Sequence, residues 1–216
     1  LMEQCYDGVD PQVFRKDLSA KDTCILLRDE AGEIQGFSTQ KRVEVSLPGE
    51  TVHGVFSGDT IIHPDHWGSM ELYRVFSQEY FFYEERYGEF YWFLISKGYK
   101  TYRILPTFFR EFYPCHREET PERLRQIMDG YGALLYPGEY NPQTGVVEYK
   151  NQKDRLKSGV ADITDRQRRD KHIAYFLERN PGWEQGNDLV CLTRLTPQNL
   201  RPRVKTIVFG PGEEEK

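Results

Sequence analysis

No stretch of this chain of 216 residues stays apolar for long. The longest apolar run, Phe90 to Ile95, is far short of the ~20 residues that cross a bilayer as a helix. The N-terminus carries no basic segment leading into an apolar one, so neither a secretory signal nor a membrane partner is expected, and a cytoplasmic setting is. Cysteine is sparse: Cys5, Cys24, Cys115 and Cys191 form no Cys-x-x-Cys pair and have no His pair at zinc-finger spacing. No metal site is expected, and the thiols are read as reduced. Positive charge is also short. The 29 Lys and Arg stand against 34 Asp and Glu, a net of -5, which argues against a nucleic-acid partner. The one dense basic cluster, Arg166, Arg168, Arg169 and Lys171, is broken by Asp170 and reads as a solvated helix face.

Aromatic side chains are abundant, with 14 Tyr and 13 Phe. They supply a packed core despite a mean hydropathy of -0.70. Asp10-Pro11 opens a short helix, with Asp10 as cap and Pro11 in the first turn. Thr23 to Arg28 reads as a strand, and Asp29 to Glu33 as a hairpin turn using Gly32. Ile34 to Leu47 and Thr51 to Ile62 then follow as two long strands. Gly54 and Gly58 inside the latter predict a bulge or the close approach of another backbone.

From Met70 the period changes to that of a helix, sustained to Tyr87 and stopped by Gly88. Phe90 to Ile95 is the kind of strand that is buried on both faces. A second helix carries Phe108, Phe109 and Phe112 to Tyr113, where Pro114 ends it. Further on, Thr120-Pro-Glu-Arg opens a helix to about Leu135, Val146 to Tyr149 is a strand, and Ile163 to Arg179 is an amphipathic helix. Asp188 to Leu195 forms a last strand before an acidic tail, Gly210 to Lys216. A division falls near residue 115, with 1–115 as the core and 116–216 as an extension that completes the same domain or forms a small subdomain.

The order of elements from Pro11 to Tyr113 resembles the GNAT superfamily of N-acyltransferases. The segment Gly58-Asp-Thr-Ile-Ile-His-Pro-Asp-His-Trp-Gly68 resembles the strand and turn that precede the family's long helix. The resemblance implies an α/β protein whose mixed sheet splays between its middle strands to admit a pantetheine arm, with additional C-terminal helices. It implies acyl transfer from a CoA or carrier-protein thioester to a small amine acceptor. The alternative is a catalytically silent module of that fold, binding a small molecule or a protein. Asp59, or Glu44 on the preceding strand, is the expected base, and Tyr113 the expected proton donor to the departing thiolate. Thr60, Ile61 and Ile62 are expected to polarise the thioester carbonyl, with His63, Trp67, Gly68 and Ser69 beside the cofactor's phosphates. In the family's Gln/Arg-x-x-Gly-x-Gly/Ala loop, Trp67 here takes the Arg position and Gly68 is kept. Met70 and Leu72 replace the two motif glycines and Glu71 adds a negative charge, so acyl-CoA or acyl-phosphopantetheine is expected to bind weakly.

Overall fold

The computed structural model describes residues 1–150 and 154–210, so the terminal acidic segment 211–216 lies outside the described residues. The chain begins with α1 (Met2–Cys5), β1 (Tyr6–Asp7) and α2 (Pro11–Ser19). Asp10 caps α2, its carboxylate accepting from the amides of Gln12 and Val13. Three strands follow: β2 (Thr23–Arg28), β3 (Ile34–Leu47) and β4 (Glu50–Ile62). Gly32, with φ +82°, turns the chain between the first two, where the Asp29 amide donates to the Glu33 carbonyl. The helical stretch from residue 70 divides into α3 (Glu71–Tyr80) and α4 (Tyr83–Tyr87), a break that the uninterrupted apolar spacing did not announce. Next come β5 (Phe90–Ser96), α5 (Tyr99–Phe108) and α6 (Glu122–Leu135). The short strands β6 (Tyr140–Asn141), β7 (Val146–Val147) and β8 (Arg155–Leu156) precede α7 (Asp165–Arg168) and α8 (Lys171–Arg179). These last two were expected as one helix, but Asp170 restarts the chain by capping α8. The described chain ends with β9 (Asp188–Arg194) and α9 (Pro202–Phe209).

Seven strands form one mixed sheet in the order β2-β3-β4-β5-β9-β7-β6. Among the described residues of this sheet, only β4 and β5 run parallel, and every other pair is antiparallel. A separate ribbon joins β1 to β8. Segment 116–210 therefore completes the sheet begun by the first half, because β9 pairs with β5 from Tyr91 to Ser96.

β5 explains why the core has two layers. Phe90, Trp92 and Leu94 join one buried cluster with residues of α3, α5, α8 and α9. Tyr91 and Phe93 point the other way, into a cluster closed by Ile127 and Tyr131 of α6. A strand with both faces covered has no polar side to show, which is why its sequence is continuously apolar.

The C-terminal part of β4 departs from regular pairing twice. Between Ser38 and Gln40 of β3 the register shifts, leaving Gly58 and Asp59 in a bulge on β4. β4 pairs with β5 only from His53↔Phe90 to Ser57↔Leu94, yet it continues to Ile62. The two middle strands therefore part beyond Ser57.

Candidate functional site

Where β4 and β5 part, a cavity of about 940 Å³ opens. Its walls come from both core clusters, including Trp92 and Leu94 on one side and Phe56 and Tyr136 on the other. On the β4 side stand Ser57, Gly58, Asp59, Thr60 and Ile62. Their orientation is held by a buried polar chain. Gln40 Nε2 donates to Ser38 Oγ at 2.8 Å, and Ser38 Oγ shares a hydrogen bond with Thr60 Oγ1 at 2.7 Å. Trp92 Nε1 donates to Ser57 Oγ at 2.9 Å.

At one end, the loop Trp67-Gly-Ser-Met70 and the first turns of α3 face α5 across the cavity. Gly68 sits at φ +96°, a conformation that favours glycine. Trp67 anchors the loop by donating its indole N–H to the Ile62 carbonyl at 2.8 Å. Lys100 Nζ lies 3.8 Å from the centre of the same indole, and its desolvation lowers the Lys100 pKa. Leu72 is buried, whereas Glu71 points to solvent and pairs with Arg74.

At the other end, side chains far apart in sequence converge. Lys97, just after β5, donates to the Asp154 carbonyl at 2.9 Å and to its carboxylate at 3.3 Å. The same ammonium lies 3.9 Å from the buried Asp188, which accepts from the Tyr149 hydroxyl at 2.8 Å. Tyr6, delivered by the β1–β8 ribbon, has its pKa raised by burial and then by Asp188 and Asp59. Burial and the carboxylates of Asp188, Asp17 and Asp59 raise that of Tyr136 in the same way. These tyrosines stay protonated at neutral pH, facing a set of carboxylates.

Several expected site residues meet here: Asp59, Thr60, Ile62, Trp67, Gly68 and Ser69 all line the cavity. Ile61 alternates to the opposite side, where it packs with Cys5 and Phe37. His63 caps the short turn after β4, its Nδ1 accepting from the Asp65 amide, and stands outside the cavity.

Two expected catalytic groups lie elsewhere. Glu44 is opposite His53, at the paired end of β4 and six residues before Asp59, or about 20 Å along the strand. There its carboxylate is 3.2 Å from His53 Nδ1 and largely exposed. Tyr113 is also displaced, because α5 ends at Phe108 and Phe109 is already extended. The Tyr113 backbone exchanges hydrogen bonds with Leu192 of β9, and its ring joins the α6 side of the core. Its hydroxyl is 3.4 Å from Glu118, and burial, with Glu111 and Glu118 nearby, raises its pKa to about 12.

The structure brings in Lys97, Tyr99, Tyr149, Asp154 and Asp188 instead. Nothing in their spacing marks them, although Lys97 and Tyr99 do follow directly on the buried strand. Among the described residues, no helix is long and apolar enough to cross a membrane, and no cluster of three or more His, Cys, Asp or Glu is arranged to hold a metal ion. No protein-family model matches this chain, and no curated protein matches its sequence.

Proposed function

We propose that this chain is a divergent N-acyltransferase of the GNAT type, moving an acyl group from a pantetheine thioester to an amine. The observation that carries this reading is the parting of the parallel strands β4 and β5 beyond Ser57 and Leu94, with the cavity opening at that point. A sheet that stays zipped has no room for a linear arm to cross it.

On this reading the thioester carbonyl lies against the unzipped edge of β4 near Thr60 to Ile62. Backbone N–H groups there, released from pairing with β5, stabilise the developing oxyanion. The amine nitrogen attacks the carbonyl carbon, the C–S bond breaks, and the thiolate leaves. Asp59, in the bulge, takes one proton from the incoming ammonium to free the amine. The second, acidified once the C–N bond has formed, leaves through solvent and restores the phenol that protonates the thiolate. Tyr99, rather than Tyr113, supplies the proton to the thiolate. It stands in the first turn of the helix that leaves β5, and its oxygen accepts from Gln167 Nε2 at 2.7 Å. Among the described residues its own O–H has no acceptor, so the proton is available.

The reading as a silent binding module draws support from the first turn of α3, where Met70 caps the helix without a side-chain hydrogen bond and Met70 and Leu72 put side chains into the cavity. Thermal melting with a panel of acyl-pantetheine and acyl-CoA thioesters tests the first reading. A donor present at 100 times its Kd adds about 2.7 kcal/mol. For a domain of this size that raises the melting temperature by about 5–11 °C. No shift with any thioester removes the acyltransferase reading. A shift without thiol release over a panel of amines selects the silent module.

A further inference from the structure

The basic cluster that the sequence assigns to a solvated face stands beside the cavity. Arg166, Arg168, Arg169 and Lys171 are exposed, and none is held in an ion pair among the described residues. Gln167, within the cluster, and Ile173, just after it, line the cavity. Lys100 and Arg103 on α5 line it as well, and Arg103 pairs with Asp170. The scaffold beneath the cluster is fixed. Thr164 and Gln167 form a reciprocal cap on α7, and Asp170 accepts from the amides of His172 and Ile173. Of the nearby carboxylates, Asp170 is thereby engaged and Asp162 accepts from the Gly159 amide, leaving Asp165 exposed.

Resting on the acyl-transfer reading, we infer that the donor is a carrier protein with an acidic face, docking on this rim and threading its acyl-phosphopantetheine arm into the cavity. Two observations favour it over free CoA. Four outward cations spread over two helices fit a broad acidic surface better than one compact phosphate. The start of α3, where a nucleotide's pyrophosphate would need bare backbone, presents the Met70 and Leu72 side chains to the cavity instead. A carrier arm brings no such nucleotide.

The test compares three probes by calorimetry: an acidic holo-carrier protein bearing an octanoyl group through a hydrolysis-resistant amide, octanoyl-pantetheine, and octanoyl-CoA. The carrier conjugate is expected to bind at least about tenfold more tightly than octanoyl-pantetheine, with a steep loss between about 50 and about 300 mM salt. The triple variant R166E/R168E/R169E is expected to remove that advantage and leave octanoyl-pantetheine unchanged. Its melting curve checks folding, and if it fails to fold, the single Arg→Gln variants are expected to weaken the carrier by about threefold each. A carrier that binds no better than octanoyl-pantetheine, or charge variants without effect, overturns the docking surface and leaves acyl transfer standing. Octanoyl-CoA binding tightest, and weakened by the triple variant, makes the rim a nucleotide-phosphate site and overturns the carrier protein. If no probe binds at all, acyl transfer falls with it.

Discussion

Gly54 and Gly58 are four residues apart on the same strand, and alanine at each is expected to have a different effect. Gly54 lies in the zipped part of β4, between Val43 of β3 and Tyr91 of β5. A Cβ there would come within 2.6 Å of the Tyr91 carbonyl oxygen and 2.7 Å of the Tyr131 hydroxyl. Neither neighbour is free to retreat. Tyr91 is paired on its other side with Arg194, and the fully buried Tyr131 donates to the Val52 carbonyl at 3.3 Å. Forcing a methyl into such a contact costs about 1–3 kcal/mol. Disturbing the Tyr131 hydrogen bond adds about 1 kcal/mol. The stiffer unfolded chain returns about 0.4–1 kcal/mol. The net is a loss of about 2 kcal/mol, or about 4–8 °C in melting temperature. At Gly58 the added methyl instead meets Lys21 Cε at 2.6 Å, the far end of a flexible side chain, and Thr39 Oγ1 at 2.7 Å. Both neighbours are side chains rather than backbone, but Thr39 is buried and Lys21 is paired with Asp17, so Gly58→Ala is expected to cost about 1 kcal/mol, less than Gly54→Ala. Urea unfolding of both variants measures the pair. A Gly54→Ala protein as stable as the parent, or a Gly58→Ala protein that loses as much, would refute the argument that an immovable backbone sets the cost.

Tyr99→Phe is expected to slow acyl transfer by about 10² or more, whereas Tyr113→Phe leaves turnover within about twofold, because only the former faces the cavity. Steady-state rates with a thioester donor decide it, and a larger loss at Tyr113 reverses the assignment. His172 is expected to make stability depend on pH. Burial, and then His116 with its ring centre 4.6 Å away, lowers its pKa below the ordinary 6.5. Below pH 6.5 the unfolded chain takes up this proton and the folded chain resists it, so stability contributed above that pH is lost as pH falls toward the depressed value. Chemical denaturation between about pH 7.5 and about 5.5 should show a smaller decline for His172→Gln than for the parent. An unchanged slope would count against the burial argument.

What the sequence by itself determined is local. The alternation of strands and helices, the Asp10 cap, the turn at Gly32 and the doubly buried β5 arise from period, capping chemistry and backbone freedom, all properties of neighbouring residues. Gly54 and Gly58 announced a close approach and a bulge, and β4 contains one of each. Pairing partners are another matter. An apolar pattern gives the face that a strand buries without naming the strand beside it. The seating of β9 against β5, almost a hundred residues later, was decided by tertiary hydrogen bonding. That contact drew Tyr113 into a bridge with Leu192 and onto the α6 side of the core, so a residue at the expected place in the chain arrived on the wrong side of the sheet. Glu44 lies near Asp59 in sequence, but the register of β3 and β4 sets it at the zipped end. The cavity gathers Tyr6, Lys97, Tyr149, Asp154 and Asp188 from four separate stretches of chain. Charged and phenolic side chains carry no periodicity that marks their convergence. Only where β4 and β5 part are they brought to line one cavity.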